Sequence, residues 1–427
     1  MILSNLSVPL LGLVDAAILG HLDSPRYLAA VAVGGSLLSF LYWGFGFLRM
    51  GTTGLAAQAY GSKQHEQNRL IIFQAMILGC AIGLLLVLLS PVLIKLGLFL
   101  ITPPQEAHEL AHTYSQIRLL SAPAVLINFA IVGWLIGQQK TRWPMLIAIS
   151  TNCLNILLDF LLIMGLDMGS NGAALATLIA EYVGCGLALW VLHRELSSIP
   201  GSLNLAALKR LNDYKALLLI NRYLFVRTIL LLTSFAFFTA QGAQQGEAVL
   251  AANSLLMQLL MLTAFGLDGI AHATEALVGD SIGQRNQRLF LTTCKACWQW
   301  SALIAIAYSA GFWLLEDFLI HLLTSLPAVA EQVRTYYSWL IILPVIAVWS
   351  YLLDGIFIGA TQGRAMQTSM LISVVLVYFP LWYALQPLGN HGLWLAFCGL
   401  NAARAVTLGF YFHKLTKQQL WFRAKAA

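Results

Sequence analysis

Apolar runs of helical length recur along the chain, separated by short clusters of Gly, Pro and charged residues. A bilayer core needs about 20 consecutive apolar residues per helix. By that measure the runs predict about twelve spans, at 1–21, 27–60, 68–99, 106–138, 142–164, 171–194, 213–240, 247–279, 287–314, 330–360, 364–386 and 391–413. Several exceed the minimum and are expected to tilt or protrude. The predicted fold class is all-α: an integral membrane protein of twelve transmembrane helices. No cleavable signal peptide is expected, because the first apolar run leads straight into the body of the protein. Met1 already lies in that run, so residues preceding it in the native protein are an expectation too.

The same pattern repeats. Leu28-Ala29-Ala30 through Gly61 matches Leu250-Ala251-Ala252 through Gly283 without a gap, at an offset of 222. Gly20/Gly242, Gly44/Gly266 and Thr52/Thr274 keep that register, and Pro123/Pro344, Gly137/Gly359 and Gly172/Gly392 follow within two residues of it. Six spans per repeat is an even number, so the halves share one orientation and are related by an axis along the membrane normal. The predicted domains are a six-helix bundle at 1–194, a cytoplasmic linker at 195–212, a second six-helix bundle at 213–413 and a basic tail at 414–427. Paired bundles of this kind favour a transporter over a channel or an intramembrane enzyme.

Charge then fixes orientation. Loops after even-numbered spans hold Lys63, Arg69, Lys140, Arg142, Arg194, Lys209, Arg210, Lys215, Arg285, Arg288 and Arg364, and the tail adds four more cations. Loops after odd-numbered spans hold only Arg26. The positive-inside rule therefore places both termini of this multi-pass protein in the cytoplasm. The composition agrees: 59% of the 427 residues are hydrophobic and 10% charged, against about 25% charged in soluble domains. The net charge of +6 is spent on topology and does not indicate a nucleic-acid partner. Six cysteines all lie in apolar segments, which argues against a disulfide framework. Cys294-Lys-Ala-Cys297 lacks a second metal-ligand pair and reads as two helix-packing cysteines; no metal or other cofactor is expected.

Candidate chemistry lies in the few intramembrane polar residues. Asp15 sits inside the first apolar run, and a carboxylate in hydrocarbon is by default a candidate for ion or substrate handling. The repeat aligns it with Phe237, so the acid belongs to the first half alone. From the topology Asn155 and Asp159 of the fifth span and Thr177 of the sixth fall at its depth, ~9–15 Å below the outer surface. Asn155 and Asp159 are four residues apart and share a helix face. Burial and neighbouring carboxylates disfavour the charged form, so an Asp in such a cluster can exchange a proton near neutral pH. Glu181, one turn beyond Thr177, either extends the cluster or is structural. Pro9 and Gly12 allow the first helix to bend next to Asp15. Asp268, Glu275 and Asp354 are acids of the second half: either a second cation or substrate site, or ion pairs with Arg222, Arg227 or Arg49. Arg404 is expected to snorkel toward the cytoplasm, and Phe40, Trp43, Phe129, Trp134, Met257 and Met261 are candidates for lining a cavity.

Val8-Pro9-Leu10-Leu11-Gly12-Leu13-Val14-Asp15, Gly20-His21-Leu22, Leu28 through Gly34 and Gln58-Ala59-Tyr60-Gly61 resemble the opening of multidrug and toxic compound extrusion (MATE) transporters, in particular their bacterial DinF-like branch. Asn152 through Asp159, Gly172 through Thr177, and Leu353-Asp354-Gly355 with Gly359 continue the resemblance. It implies two six-helix bundles in a V, working as a monomer that exports organic cations and other amphipathic drugs against an inward cation flux. It further implies Asp15 as the proton site, with Asn155, Asp159 and Thr177 as its partners. The alternatives within transport are sodium coupling and a lipid-linked precursor flippase of related fold. Cations are sparse in the spans, which favours neutral or cationic drugs over an anionic lipid. No HExxH motif or paired catalytic aspartates stand out, so an enzyme is not expected.

Overall fold

The computed structural model describes Ile18 and residues 24–102, 104–203 and 205–422. Every regular element among them is helical. Internal contacts divide the chain into two compact units, Leu3–Leu218 and Leu219–Ala427.

The first unit holds α1 (Pro25–Gly44), α2 (Phe47–Gly61), α3 (His65–Leu88), α4 (Ser90–Ile101), α5 (Gln105–Leu119), α6 (Ala122–Gly137), α7 (Arg142–Asp159) and α8 (Gly169–Ser197). A one-turn helix, α9 (Leu205–Lys209), leads to α10 (Lys215–Ala243), which runs on into the second unit. There follow α11 (Glu247–Gly283), α12 (Gln287–Leu314), α13 (Glu316–Leu323), α14 (Pro327–Gly359), α15 (Gly363–Leu371), α16 (Phe379–Leu385) and α17 (Gly389–Lys417). Nine helices among the described residues are long and apolar enough to cross a membrane, or ten if one bent pair counts as a span. That count takes Gly363–Lys417 as one run, although a 3-10 turn at Gln386–Leu388 and Gly389 at φ +56° interrupt it between the expected spans 364–386 and 391–413. Most of the expected span 1–21 lies outside the described residues.

Expected spans 27–60, 68–99 and 106–138 are each divided into two helices, the first of them at Phe45-Gly46. The run 68–99 breaks at Leu89, where Pro91 favours a new helix start over continuation. The run 106–138 bends by 49° between α5 and α6. Pro123 has no N–H to close the turn at Leu119, and hydroxyls serve the neighbouring carbonyls instead. Ser121 Oγ donates to the Arg118 carbonyl at 2.7 Å and Tyr182 to that of Leu120 at 2.9 Å. Pro344, its partner in the repeat, lies within the continuous helix α14.

Each unit is organised on one buried helix. In the first, α6 packs against α2, α3 and α8; in the second, α14 packs against α11, α12 and α17. Glycines set the crossing distance. A Cβ at Gly133 would lie 2.4 Å from the Arg49 carbonyl oxygen, and one at Gly137 would lie 2.8 Å from that of Thr53. In the second unit a Cβ at Gly355 would lie 2.8 Å from the Ala271 carbonyl oxygen, and one at Gly359 would lie 2.5 Å from that of Glu275. Every residue of the second set is its counterpart in the first plus 222. The sequence repeat is therefore a repeated helix crossing, made close by a small-xxx-small pair.

Buried polar side chains then key neighbouring helices together. Trp134 is fully buried and donates to Asn68 Oδ1 at 2.7 Å, so it is a core residue rather than the cavity lining expected from its type. In the second unit Asn253 and Asn390 exchange amide hydrogen bonds at 2.8 and 2.9 Å, and Trp394 donates to Asn253 at 2.9 Å. Phe238 stacks edge-on against Trp394 at 4.9 Å in the same core. All six cysteines are free; Cys294 and Cys297 are buried on α12 as packing residues.

The helix crossing gives a paired prediction. Gly359→Ala should destabilise by ~1–3 kcal/mol, because the obstructing atoms are backbone and cannot step aside. For a unit of this size that lowers the Tm in detergent by about 2–12 °C. Gly186→Ala, in the interior of α8 with nothing within 4 Å of the added methyl, should leave the Tm unchanged or raise it slightly.

Candidate functional site

The first-unit site is built on the packing of α7 against α8. Helix α8 presents Gly172, Ala173, Ala176, Ala180 and Gly184 as buried positions, so the two backbones approach closely. A Cβ on Gly184 would lie 2.3 Å from Thr151 Oγ1, and one on Gly172 would lie 3.1 Å from the Leu162 carbonyl. Between these two contacts lie the polar residues. Asn155 donates its amide to Thr177 Oγ1 at 3.2 Å, and the Thr177 hydroxyl donates to the Ala173 carbonyl at 2.9 Å. Short side chains reach each other here only because glycine and alanine bring the helices together.

Asp159 lies one turn along α7 from Asn155 and is fully buried. From the next residue the helix widens into a π-helical segment, Phe160–Gly165. Such segments free backbone groups from the regular ladder and cluster at functional positions. Asn155 is also buried, and its Oδ1 accepts no hydrogen bond among the described residues. The structure thus brings Asn155 and Thr177 into direct contact and sets Asp159 on the same helix face, in an interior shielded from solvent. Asp15, Pro9 and Gly12 lie outside the described residues.

Glu181 does not join this group. Its carboxylate pairs with Arg118 of α5 at 2.9 Å, beside the bend between α5 and α6. Tyr42 donates to the Arg118 carbonyl at 3.3 Å, which ties α1 to the same point. The sequence reading left Glu181 open and overlooked Arg118, yet a signal was present. Counted from the expected span starts, Arg118 lies ~18 Å and Glu181 ~15 Å deep, so an interior cation and an interior acid matched in depth.

In the second unit Asp354 is the hub of a buried ion triad. Its Oδ2 accepts from Arg227 of α10 and from Arg404 Nη2 of α17 at 2.7 Å. Arg404 further donates to Asn401 Oδ1 at 3.3 Å. Arg404 is 4% exposed, which corrects the expectation that it snorkels to the cytoplasm. Its charge is met inside the bundle, so reaching water would cost it that partner. Of the two alternatives left open for Asp354, the structure shows the ion pair, with Arg227 as one of the expected partners and Arg404 as a second on the same oxygen. Glu275 and His272 are buried on α11, and Asp268 is half-buried on the same helix. Among the described residues no group of three His, Cys, Asp or Glu side chains is placed to hold a metal ion.

Comparison with known proteins gives a consistent picture. The MatE family model matches residues 1–161 and 224–384, one stretch in each half. DNA damage-inducible protein F of Escherichia coli is 41% identical over 99% of this chain and 92% of its own length. A probable multidrug resistance protein NorM of Thermotoga maritima is 25% identical over 90% of this chain and 81% of its own. Among solved structures, an outward-facing multidrug resistance MATE family transporter of the MOP superfamily superposes with a TM-score of 0.88 at 20% identity, covering 98% of this chain and 94% of that one. A MATE in the bent conformation gives 0.89 at 21% identity, covering 99% and 95%.

The two ion-pair sites differ in what removal of the acid leaves behind. Asp354→Asn leaves two buried guanidinium groups facing one amide, and breaking a buried pair in this way costs ~3–5 kcal/mol. Thermal unfolding in detergent should show a loss for Glu181→Gln, where one more accessible cation is left, that is clearly smaller than for Asp354→Asn.

Proposed function

Because the chain belongs to the multidrug and toxic compound extrusion family of membrane transporters, we propose that it exports organic cations and other amphipathic drugs in exchange for protons. The observation that supports the coupling is the enclosure of Asp159 beside the Asn155–Thr177 contact. Asp354 and Glu181 are neutralised by arginines. Asp159 is fully buried one turn from the Asn155–Thr177 hydrogen bond. Asp15 belongs to the same first half and completes the proton site in this reading, with Pro9 and Gly12 allowing its helix to bend.

The physics requires only that proton and drug favour opposite conformations. A ligand shifts an equilibrium by no more than its differential affinity for the two states. Protonating a buried carboxylate removes a charge that the low-dielectric interior tolerates poorly, which biases the packing of the helices carrying it. A drug that binds the deprotonated state is then released when a proton enters from outside. Sodium exchange through second-half acids is the weaker reading, since Asp354 is held by Arg227 and Arg404. In this proposal the protein is a monomer of two six-helix bundles in the bacterial inner membrane, with both termini in the cytoplasm.

Efflux of an ethidium-type dye in inside-out vesicles, under an imposed proton or sodium gradient, tests the coupling. A proton gradient should drive export. Asp15→Asn and Asp159→Asn should each cut it by at least about fivefold, the lower end of ordinary coupling between sites. Glu181→Gln should keep the pH dependence of the wild type even where it lowers the yield of folded protein. Sodium-driven exchange that persists unchanged in Asp15→Asn would sink the proton reading.

A further inference from the structure

On the second unit, α12, α14 and α17 leave an open apolar groove of about 580 Å³. That volume is ordinary for a small-ligand pocket. Trp298 of α12 and Trp349 of α14 stack within it, with ring centroids 5.2 Å apart and planes at 28°. Leu353 and Val406 line it further, and its only charged lining residue is Lys295. No carboxylate lines the groove, and Lys295 forms no ion pair among the described residues.

The position of this lysine is specific. Lys295 is eight residues into α12, ~12 Å along its axis. The groove lies toward the end of the bundle where α12 begins and α14 and α17 finish, with Ile356 and Phe412 near those helix ends. Arg288 is exposed seven residues before Lys295, so Arg288, Leu291, Lys295 and Trp298 follow one face of α12. An ammonium at this depth beside apolar walls is costly unless it reaches the interface or meets an anion. The groove thus combines an apolar slot lined by one cation, Lys295, with a second, Arg288, two turns before it on the same helix face.

We propose that this groove binds one anionic glycerophospholipid, with its phosphate on Lys295 and Arg288 and an acyl chain along Trp298, Leu353 and Val406. On the topology proposed above, the lipid comes from the cytoplasmic leaflet. Basic pockets between transmembrane helices on that side recognise acidic headgroups. The site is separate from the drug-coupling residues and does not depend on what the transporter carries.

Native mass spectrometry of the purified full-length protein tests this, using phosphatidylglycerol and phosphatidylethanolamine with identical dioleoyl chains. The wild type should retain phosphatidylglycerol in preference to phosphatidylethanolamine. Lys295→Gln should weaken phosphatidylglycerol retention about fivefold, the effect of one basic residue at an anionic headgroup. Lys295→Arg should keep the preference. Val406→Trp should fill the slot and reduce retention of the lipid with both cations intact. Lys95→Gln, an exposed lysine of α4 in the first unit, should behave as wild type. Equal retention of the two lipids by the wild type would overturn the proposal. So would a loss in Lys295→Gln no larger than in Lys95→Gln, or a dimer dissociated by Val406→Trp, which would assign the groove to a second copy of the chain.

Discussion

The structure depends on how closely its helices can approach. Inside a bilayer the hydrophobic effect does not distinguish one apolar neighbour from another, so helix association relies on packing and on hydrogen bonds. Gly133 and Gly137 meet this demand in the first unit, and Gly355 and Gly359 in the second, each lying against a backbone carbonyl of the crossing helix. With α6 and α14 fixed in this way, each unit has a buried central helix on which the others are arranged. The repeat in the sequence is the trace of that single constraint, met twice.

Upon this common frame the halves diverge in their polar chemistry. In the first unit small residues of α8 let Asn155 and Thr177 touch and leave Asp159 enclosed. In the second, aromatic rings occupy much of the interior, and Phe237 packs against Phe379 at 4.9 Å and Tyr378 at 5.6 Å. Among the acids of the second unit, Asp354 is held by two arginines. A buried charge in hydrocarbon is tolerated when paired. Held by two arginines, Asp354 ties α10, α14 and α17 together through paired charge.

The basic loop residues also have a second role. Arg69 donates to the Leu196 and Ile199 carbonyls at 2.7 and 2.6 Å, closing the end of α8 where the helix dipole favours a cation. Lys140 pairs with Glu195, and Trp143 donates to the same carboxylate at 2.7 Å. Arg194 lies over the Trp143 and Trp190 rings at 5.7 and 5.9 Å. Residues that read as topology signals in the sequence also fasten helix ends to one another.

What the sequence determined by itself is the helical class, the repeat and its register, and the helix face that Asn155 and Asp159 share. These follow from local rules: an apolar run long enough for a bilayer, a fixed rise per residue, and a period that places i and i+4 on one face. Partner choice was not legible in this way. Asp354 had several arginines within reach on paper, and only the packing of α10, α14 and α17 selects Arg227 and Arg404. The Glu181–Arg118 pair and the 49° bend at Pro123 likewise depend on which helices are neighbours, while the homologous Pro344 stays inside a continuous helix. A residue's depth is set along its own helix, but its partner is set across helices. That second coordinate exists only once the bundle has packed.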